Sequence, residues 1–211
     1  YRESIKQNFS NLEIFNIFKD NKRILLFLIK EQLFNIDQNI AYIIFGDDKY
    51  SKQNYPSYFY PELKKLQYKS TKDQESYFET VEKMISENPE LFERNRLLGE
   101  NEKDLCEIIR KDSIDDFLKY QEQKSISLIK PSIFETHSIL KDKSLTPIEY
   151  SVFFGSDQIF SYLISQKVEV TSSIWKYAIH SQNLKIIQIL EQNEIFPETN
   201  SCEELLKESI K

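Results

Sequence analysis

Two segments of the chain carry one pattern at a spacing of 27 residues, and this repeat limits the possible fold more than any other feature. Residues 150–163 align with residues 177–190, and a break in the apolar pattern falls at Gly155 in one copy and at Gln182 in the other. Each copy therefore predicts two short helices joined by a tight turn. Such a helix pair cannot bury its own apolar face, so it must stack on a neighbouring pair. The aligned residues are Tyr150 and Tyr177, Ser151 and Ala178, Ile159 and Ile186, Phe160 and Ile187, and Leu163 and Leu190.

The rest of the chain is also patterned as short amphipathic helices. Apolar residues recur every three or four positions, as expected of helices with one buried face. No segment of comparable length alternates apolar and polar residues as a strand does, so the sequence predicts an all-α fold. The predicted helices cover residues 11–19 and 22–34, a stretch from Asp37 to Gly46, a start at Pro61, and residues 73–87 and 90–98.

Three Ser or Thr residues stand three positions before an acidic residue, and each pair predicts a helix start. In such a capping box the hydroxyl and the acid satisfy backbone N–H groups of the first turn. Pro131 is likewise expected to open a helix that carries His137. The pairs are Ser113 with Asp116, Thr146 with Glu149, and Ser201 with Glu204.

Residues 46–61 interrupt the helical pattern with two prolines and five aromatic residues, and we predict an ordered loop here. Aromatic side chains at this density usually pin a loop to the helices beneath it. The alternative is a groove for a protein partner, since tyrosine is enriched at interfaces and aromatic grooves bind proline-rich peptides. The candidates for that second role are Tyr55, Tyr58 and Tyr60.

A domain boundary is expected near residues 99–103. Residues 1–100 then form a helical N-terminal region of diverged hairpins, and residues 101–211 carry the repeats. The clearest units are about 146–170 and 173–195, and a weaker copy covers residues 105–120 with Asp112 at the turn. The alternative is one continuous stack of hairpins through both regions.

The composition excludes several kinds of nucleotide-binding and catalytic motif. The chain has 211 residues, a formal net charge of −6 and three glycines, at positions 46, 99 and 155. Glycines this far apart cannot form a dinucleotide-binding loop, a P-loop or a G-x-S-x-G turn. The negative charge disfavours a general nucleic-acid surface or a polybasic membrane contact. We therefore expect no cofactor, no nucleic acid and no membrane partner.

The two cysteines indicate a reducing compartment because a secreted disulfide framework would need more of them. Cys106 and Cys202 both have acidic neighbours, which oppose a reactive thiolate, and the cysteines and histidines lack zinc-site spacing. The longest apolar run has six residues, far short of a membrane span, and we expect no signal peptide. We expect a cytoplasmic protein with no metal, either a monomer or a fragment of a longer repeat protein.

Part of the repeat resembles the ankyrin repeat. The ankyrin motif runs Thr-Pro-Leu-His-x-Ala, then Gly, then a β-branched pair, then Leu-Leu. The residues that follow this order are Thr146-Pro147-Ile148-Glu149-Tyr150-Ser151, Gly155, Ile159-Phe160 and Leu163-Ile164. Glu149 replaces the usual histidine, Thr-Pro is absent before Tyr177, and the spacing of 27 is shorter than the ankyrin period of about 33. The shortening falls between Ile164 and Ser173, where ankyrin repeats build a projecting turn.

A second resemblance covers most of the chain. The chain is similar to protist ankyrin-repeat proteins that carry a helical domain of unknown function with degenerate ankyrin-like repeats. This resemblance implies an α-solenoid of stacked helix hairpins and an interaction role, and it implies no catalytic residue. The matching segments are Asn21–Leu28, Asn54–Lys64, Phe92–Asn101, Ile108–Phe117, Ile129–Thr136 and Trp175–His180.

The expected function is a non-enzymatic protein–protein interaction scaffold. Polar residues at hairpin tips and helix starts are the candidate contacts, with Trp175 as a possible anchor whose alternative role is packing between repeats. His180 has the alternative role of bonding the end of its helix. The competing functions are a structural spacer within a longer repeat protein, or an all-α enzyme with converging carboxylates of raised pKa. The polar candidates are Glu149, Lys176, His180 and Asn183.

Overall fold

Helices account for all the regular structure that we describe. The computed structural model describes residues 7–66, 72–137, 139, 140 and 143–197, with backbone alone over 72–77. These ranges contain fourteen α-helices, one short 3₁₀ helix and no strand. The chain divides into two units, Tyr1–Glu102 with Pro131–Lys143, and Lys103–Lys130 with Ser144–Lys211. The all-α prediction is confirmed for the described residues.

Unit 1 contains eight described helices, several of which begin at residues that the sequence marks as caps. The Asp37 carboxylate accepts the backbone N–H groups of Asn39 and Ile40, and Gly99 ends the last helix with φ 68°. The helices are α1 (Asn11–Phe18), α2 (Lys22–Lys30), α3 (Gln38–Gly46), α4 (Asp48–Lys52), α5 (Tyr55–Tyr58), α6 (Tyr60–Lys65), α7 (Lys72–Glu87) and α8 (Pro89–Leu98).

Residues 46–61 form short helices, so the prediction of a loop is wrong there. Pro56 and Pro61 lie in the first turns of α5 and α6, where a missing N–H group costs no hydrogen bond. The aromatic side chains of this stretch enter the core. Tyr50, Tyr55 and Phe59 are at most 4% exposed, and the Tyr50 and Tyr55 rings meet edge to face at 5.0 Å.

The segment 131–143 packs into unit 1, although the sequence places it in the repeat region. Phe134 is fully buried, and its ring meets that of Phe92 at 5.3 Å. The Thr136 hydroxyl and backbone N–H both donate to the Gly99 carbonyl, at 2.7 and 3.1 Å. The helix predicted from Pro131 does not form, and residues 131–137 contain one turn and otherwise irregular backbone. Unit 1 thus requires a piece of chain that follows the first hairpin of unit 2.

Unit 2 consists of helix hairpins. A 3₁₀ helix, Ser172–Ile174, precedes the third of them. Helices in the described part of this unit are too short to cross a membrane, and the same holds for the described helices of unit 1. The hairpins are α9 (Asp104–Arg110) with α10 (Ile114–Gln123), α11 (Pro147–Phe154) with α12 (Asp157–Ser165), and α13 (Trp175–Ser181) with α14 (Leu184–Gln192).

Each hairpin turns at one residue in the left-handed region. Asp112, Gly155 and Gln182 have φ values of 49°, 74° and 53°, so the turn predicted at Asp112 is present. Lys167 and Glu194, which follow the second and third hairpins, also share this conformation, with φ 57° and 56°. The second and third hairpins therefore repeat in backbone conformation at the same 27-residue spacing as the sequence, whereas the corner at Asp112 lies 43 residues before Gly155.

The hairpins contact one another in chain order. Helix α9 packs on α11 and α11 on α13, while α10 packs on α12 and α12 on α14. Ser151 and Ala178, the small residues of the repeat, are fully buried on the first helices. Polar bonds also join the corners: Ser156 Oγ donates to the Ile109 carbonyl at 2.6 Å, and Asn183 Nδ2 donates to the Gly155 carbonyl at 2.8 Å.

Thr146 and Glu149 form the predicted capping box at the start of α11, because each side chain accepts the other's backbone N–H. The box predicted at Ser113 is not formed. The Ser113 hydroxyl donates to the Asp116 carboxylate at 2.7 Å and makes no bond to the backbone of α10. The Ser201 box lies outside the described residues.

Replacing Asp112 with alanine should lower the free energy of unfolding by about 1–2 kcal/mol. The Asp112 carboxylate accepts the backbone N–H groups of Gln158 and Ile159, at 3.1 and 3.0 Å, and so caps a helix of the next hairpin. Urea denaturation measures the loss, with Asp115→Ala at an exposed position of α10 as the control. Equal losses in the two variants would show that the cap between hairpins has no energetic role.

Candidate functional site

The first helices of the three hairpins place equivalent residues next to one another. Arg110, Phe153 and His180 each lie two positions before the corner residue of their hairpin. Because α9 packs on α11 and α11 on α13, these positions follow one another across the hairpins. Stacked repeats present continuous sets of side chains in this way.

Phe153 is the centre of this row. The His180 imidazole stacks on its ring, with centroids 4.2 Å apart and an angle of 13° between planes. Phe154 meets Phe153 edge to face at 4.9 Å and contacts Tyr150 at 4.7 Å. The Tyr177 ring lies 6.3 Å from Phe153. Rings from two successive hairpins therefore form one packed aromatic layer.

Two cations adjoin this layer. The Arg110 guanidinium donates to the Tyr150 hydroxyl at 2.9 Å and lies 5.8 Å from the centroid of the Phe154 ring. On the third hairpin, the Lys176 ammonium lies 4.9 Å from the centroid of the Tyr177 ring. Cations at these distances are attracted to the electron-rich faces of the rings. We call the set the aromatic–cation strip, and it consists of Arg110, Tyr150, Phe153, Phe154, Lys176, Tyr177 and His180.

The strip has a buried floor and an accessible edge. Tyr150, Phe153 and Tyr177 are at most 3% exposed, whereas Arg110 and Lys176 are half-buried and His180 is exposed. Burial raises the pKa of the Tyr177 phenol, and the nearby Glu149 carboxylate raises it further, so this phenol stays protonated. Of its rings, only Phe154 and His180 reach the surface, and they do so together with the half-buried Arg110 and Lys176.

Glu149 and Asn183, two of the candidate contacts, have bonds that build the hairpins. Glu149 Oε2 accepts from the backbone N–H and the hydroxyl of Thr146, at 2.9 and 3.0 Å. Asn183 Oδ1 caps α14 by accepting the N–H of Lys185 at 3.0 Å, in addition to its bond with Gly155. Both side chains are half-buried, and their hydrogen bonds stabilise the helix starts and the contact between hairpins.

Trp175 is a packed residue, 9% exposed, as the alternative interpretation expects. Its indole N–H donates to the Ile195 carbonyl at 2.9 Å, which ties the start of α13 to the chain after α14. The Trp175 side chain therefore packs inside unit 2.

Tyr55, Tyr58 and Tyr60 are also interior residues, exposed by 0%, 0% and 5%. The Tyr55 hydroxyl donates to the Lys19 carbonyl, and the Tyr58 hydroxyl donates to the Arg96 carbonyl at 2.8 Å. The packing interpretation therefore holds for the aromatic stretch, and these side chains do not form the accessible partner surface that we considered for them.

The sequence did not indicate an open groove of about 900 Å³ in unit 1. Tyr60 and Phe92 belong to its lining, together with charged residues of both signs. Lys64 pairs with Glu82 at 2.8 Å across this lining, and Glu93 pairs with Lys30 at 2.7 Å. The lining contains three lysines and three glutamates, so their formal charges cancel.

Two carboxylates of unit 1 converge on the buried Arg96, Glu62 at 2.6 Å and Glu93 at 3.0 Å. Burial raises the pKa of Glu62 above its ordinary value. Burial has the same effect on Glu93, but Lys30 and Arg96 outweigh it and leave the pKa of Glu93 lowered. The pair is thus an ion-pair network, and it lacks the two raised pKa values that an acid–base site of this kind requires.

Comparisons with known proteins return no match, neither to a family model, nor to a curated protein, nor to a solved structure. Within the described ranges, no three His, Cys, Asp or Glu side chains group as metal ligands. Cys106 is completely buried, and Cys202 lies outside the described residues.

Proposed function

We propose that this chain is a non-enzymatic protein-binding module whose partner contacts the aromatic–cation strip. The observation that carries the proposal is the continuity of the strip, since its side chains come from three successive hairpins and touch in sequence. Arginine and aromatic residues are enriched at protein interfaces, and Arg110 and Phe154 are the members of these classes in the strip that are not fully buried. Their packing against one another also orders the side chains before a partner arrives, which reduces the entropy lost on binding.

We also propose that unit 2 is an ankyrin-like solenoid, as in the protist proteins that the sequence resembles. Three features support this fold. Thr146 and Pro147 begin α11, Gly155 ends it in the left-handed conformation, and small buried residues lie where first helices pack. The contacts between hairpins in chain order are those of a stack in which each repeat touches its neighbours.

Affinity capture from a cell lysate tests the binding proposal. The full 211-residue chain is compared with a strip variant, Lys176→Glu with His180→Glu, and a control variant, Lys119→Glu. Lys119 is exposed on α10, a second helix, so its reversal changes the charge away from the strip. We expect a protein that the wild type and the control retain and that the folded strip variant loses, by at least about tenfold.

Retention by all three chains would contradict the strip as the binding surface. Recovery of no protein would favour the structural-spacer function, which predicts no partner for this chain alone. Circular dichroism of each variant must show wild-type helix content, so that loss of binding is not loss of folding.

A further inference from the structure

A smaller pocket in unit 1, with a volume of about 170 Å³, lies beside the end of α7 and along α8. An engineered cavity of about 150 Å³ holds one benzene molecule, so this pocket has room for a ligand of about six non-hydrogen atoms. Apolar walls with a few polar groups are typical of small-ligand sites. The apolar members of this lining are Met84, Leu91, Phe92 and Phe134.

The charged residues of this lining are both acidic. Glu87 and Glu102 line the pocket, and no lysine or arginine belongs to the lining that the structure describes. Glu87 is exposed and lies 3.8 Å from the exposed Lys83, so its charge is partly balanced. The negative charge of the pocket therefore comes mainly from Glu102.

Glu102 also provides the observation that points to a ligand. Its side chain is half-buried after the end of α8, and its Oε2 atom is buried without a hydrogen-bond partner among the described residues. A buried carboxylate oxygen that lacks a donor costs free energy, and such atoms are rare in proteins. Asn95, half-buried on α8, adds an amide group to the same lining. The pocket thus has acceptors for a positively charged donor group.

We propose that this pocket binds a primary alkylammonium group, –NH₃⁺ on an unbranched chain of about four or five carbon atoms. The N–H groups of the ammonium donate to the Glu102 carboxylate and to the Asn95 amide oxygen. The carbon chain lies against Met84 and Leu91, which an inorganic cation would leave uncovered. Free diamines and lysine side chains both carry such a group. The site is separate from the strip, so it goes beyond the proposed function and does not rest on it.

An NMR titration of the full chain tests the site. Met84 is the only methionine in the sequence, so an isotope label on its methyl group gives one signal that reports on the pocket. Pentylammonium chloride matches the pocket in size, and pentanol is its uncharged equivalent of the same shape. Glu102→Gln removes the carboxylate charge at nearly constant shape. Glu90→Gln is the control, because Glu90 is exposed on α8 and does not belong to the lining.

Pentylammonium should shift the Met84 methyl signal with a Kd below about 1 mM. Pentanol should bind at least about tenfold more weakly, because it lacks the charge that Glu102 attracts. Glu102→Gln should raise the Kd of pentylammonium at least about tenfold, and Glu90→Gln should leave it within about twofold. Circular dichroism checks that both variants keep the wild-type helix content.

Equal Kd values for pentylammonium and pentanol would overturn the ammonium site and leave only an apolar cavity. A Kd that Glu102→Gln does not change would also overturn it. The same holds for a Met84 signal that stays unchanged up to about 20 mM pentylammonium.

Two further probes identify the source of the ammonium group. Cadaverine is a free diamine, and Nα-acetyl-lysine N-methylamide presents the same group on a peptide backbone. Tighter binding of cadaverine would assign the pocket to free diamines, and tighter binding of the lysine amide would assign it to a lysine of a partner chain. Equal Kd values would leave the ammonium and its carbon chain as the whole recognised group, and binding of neither probe would overturn the site.

Discussion

Replacing Arg96 with methionine should lower the free energy of unfolding by about 3–5 kcal/mol, the cost of leaving a buried charge without its partner. Arg96 is 1% exposed, and its guanidinium lies 2.6 Å from Glu62 and 3.0 Å from Glu93. Methionine fills much of the same volume but supplies no charge and no donor. Urea denaturation followed by circular dichroism measures the change.

The loss should become smaller as the pH falls from about 8 towards the ordinary glutamate value of 4.5. Burial already raises the pKa of Glu62 in the folded protein, and Arg96 is the main influence that lowers it. Without Arg96 the pKa rises further, so the folded variant favours the protonated acid. Stability from a raised pKa is present at low pH and is lost as the pH rises through the raised value.

Arg94→Met is the matched control, because Arg94 is exposed on the same helix. We expect it to change the free energy of unfolding by no more than about 0.5 kcal/mol. Equal effects of the two substitutions, or a loss at Arg96 that does not vary with pH, would contradict the buried network.

Replacing Phe134 with alanine should also cost about 3–5 kcal/mol, since the side chain is fully buried and a cavity would remain. The substitution tests whether the segment 131–143 is part of the unit 1 core, where Phe134 meets the ring of Phe92. Hydrogen exchange locates the effect. Protection should fall in α8 and in the helices that share its core.

Leu128→Ala provides the comparison for Phe134, because Leu128 is 56% exposed shortly before this segment. Its effect should stay within about 0.5 kcal/mol. A similarly small effect at Phe134, with unchanged protection in α8, would contradict the place of the segment in unit 1.

The sequence predicts those parts of the fold that depend on local patterns. Apolar spacing locates most helices, and the 27-residue repeat locates the corners at Gly155 and Gln182. The capping box of Thr146 forms because the Glu149 carboxylate reaches the Thr146 backbone N–H. At Ser113 the same three-residue spacing gives only a bond between the two side chains. Contacts of this range are encoded in neighbouring residues.

Contacts between distant residues explain where the predictions fail. The segment after Pro131 reads as a helix, but Phe134 and Thr136 bind it to unit 1 in a non-helical form. In residues 46–61, turn-forming residues suggest a loop, while burial of Tyr55 and Tyr58 selects short helices.

The sequence indicates the site only in part. Lys176 and His180 are candidates because they are polar residues at a helix start and a hairpin tip, whereas Arg110 and Phe154 are not among the candidates. Arg110 could have been found from the weak repeat copy, because it stands two positions before Asp112 as His180 stands before Gln182. The stacking of His180 on Phe153 depends on how two hairpins pack against each other. Sequence patterns do not predict this packing in enough detail to place one ring on another.

If the strip is the binding surface, the affinity of a captured partner for three purified chains must depend on the strip residues. Biolayer interferometry gives the Kd for the wild type, for Lys176→Glu with His180→Glu, and for Lys119→Glu. We expect a Kd that rises at least about tenfold for the strip variant and less than about twofold for the control. Equal Kd values for all three folded chains would contradict it.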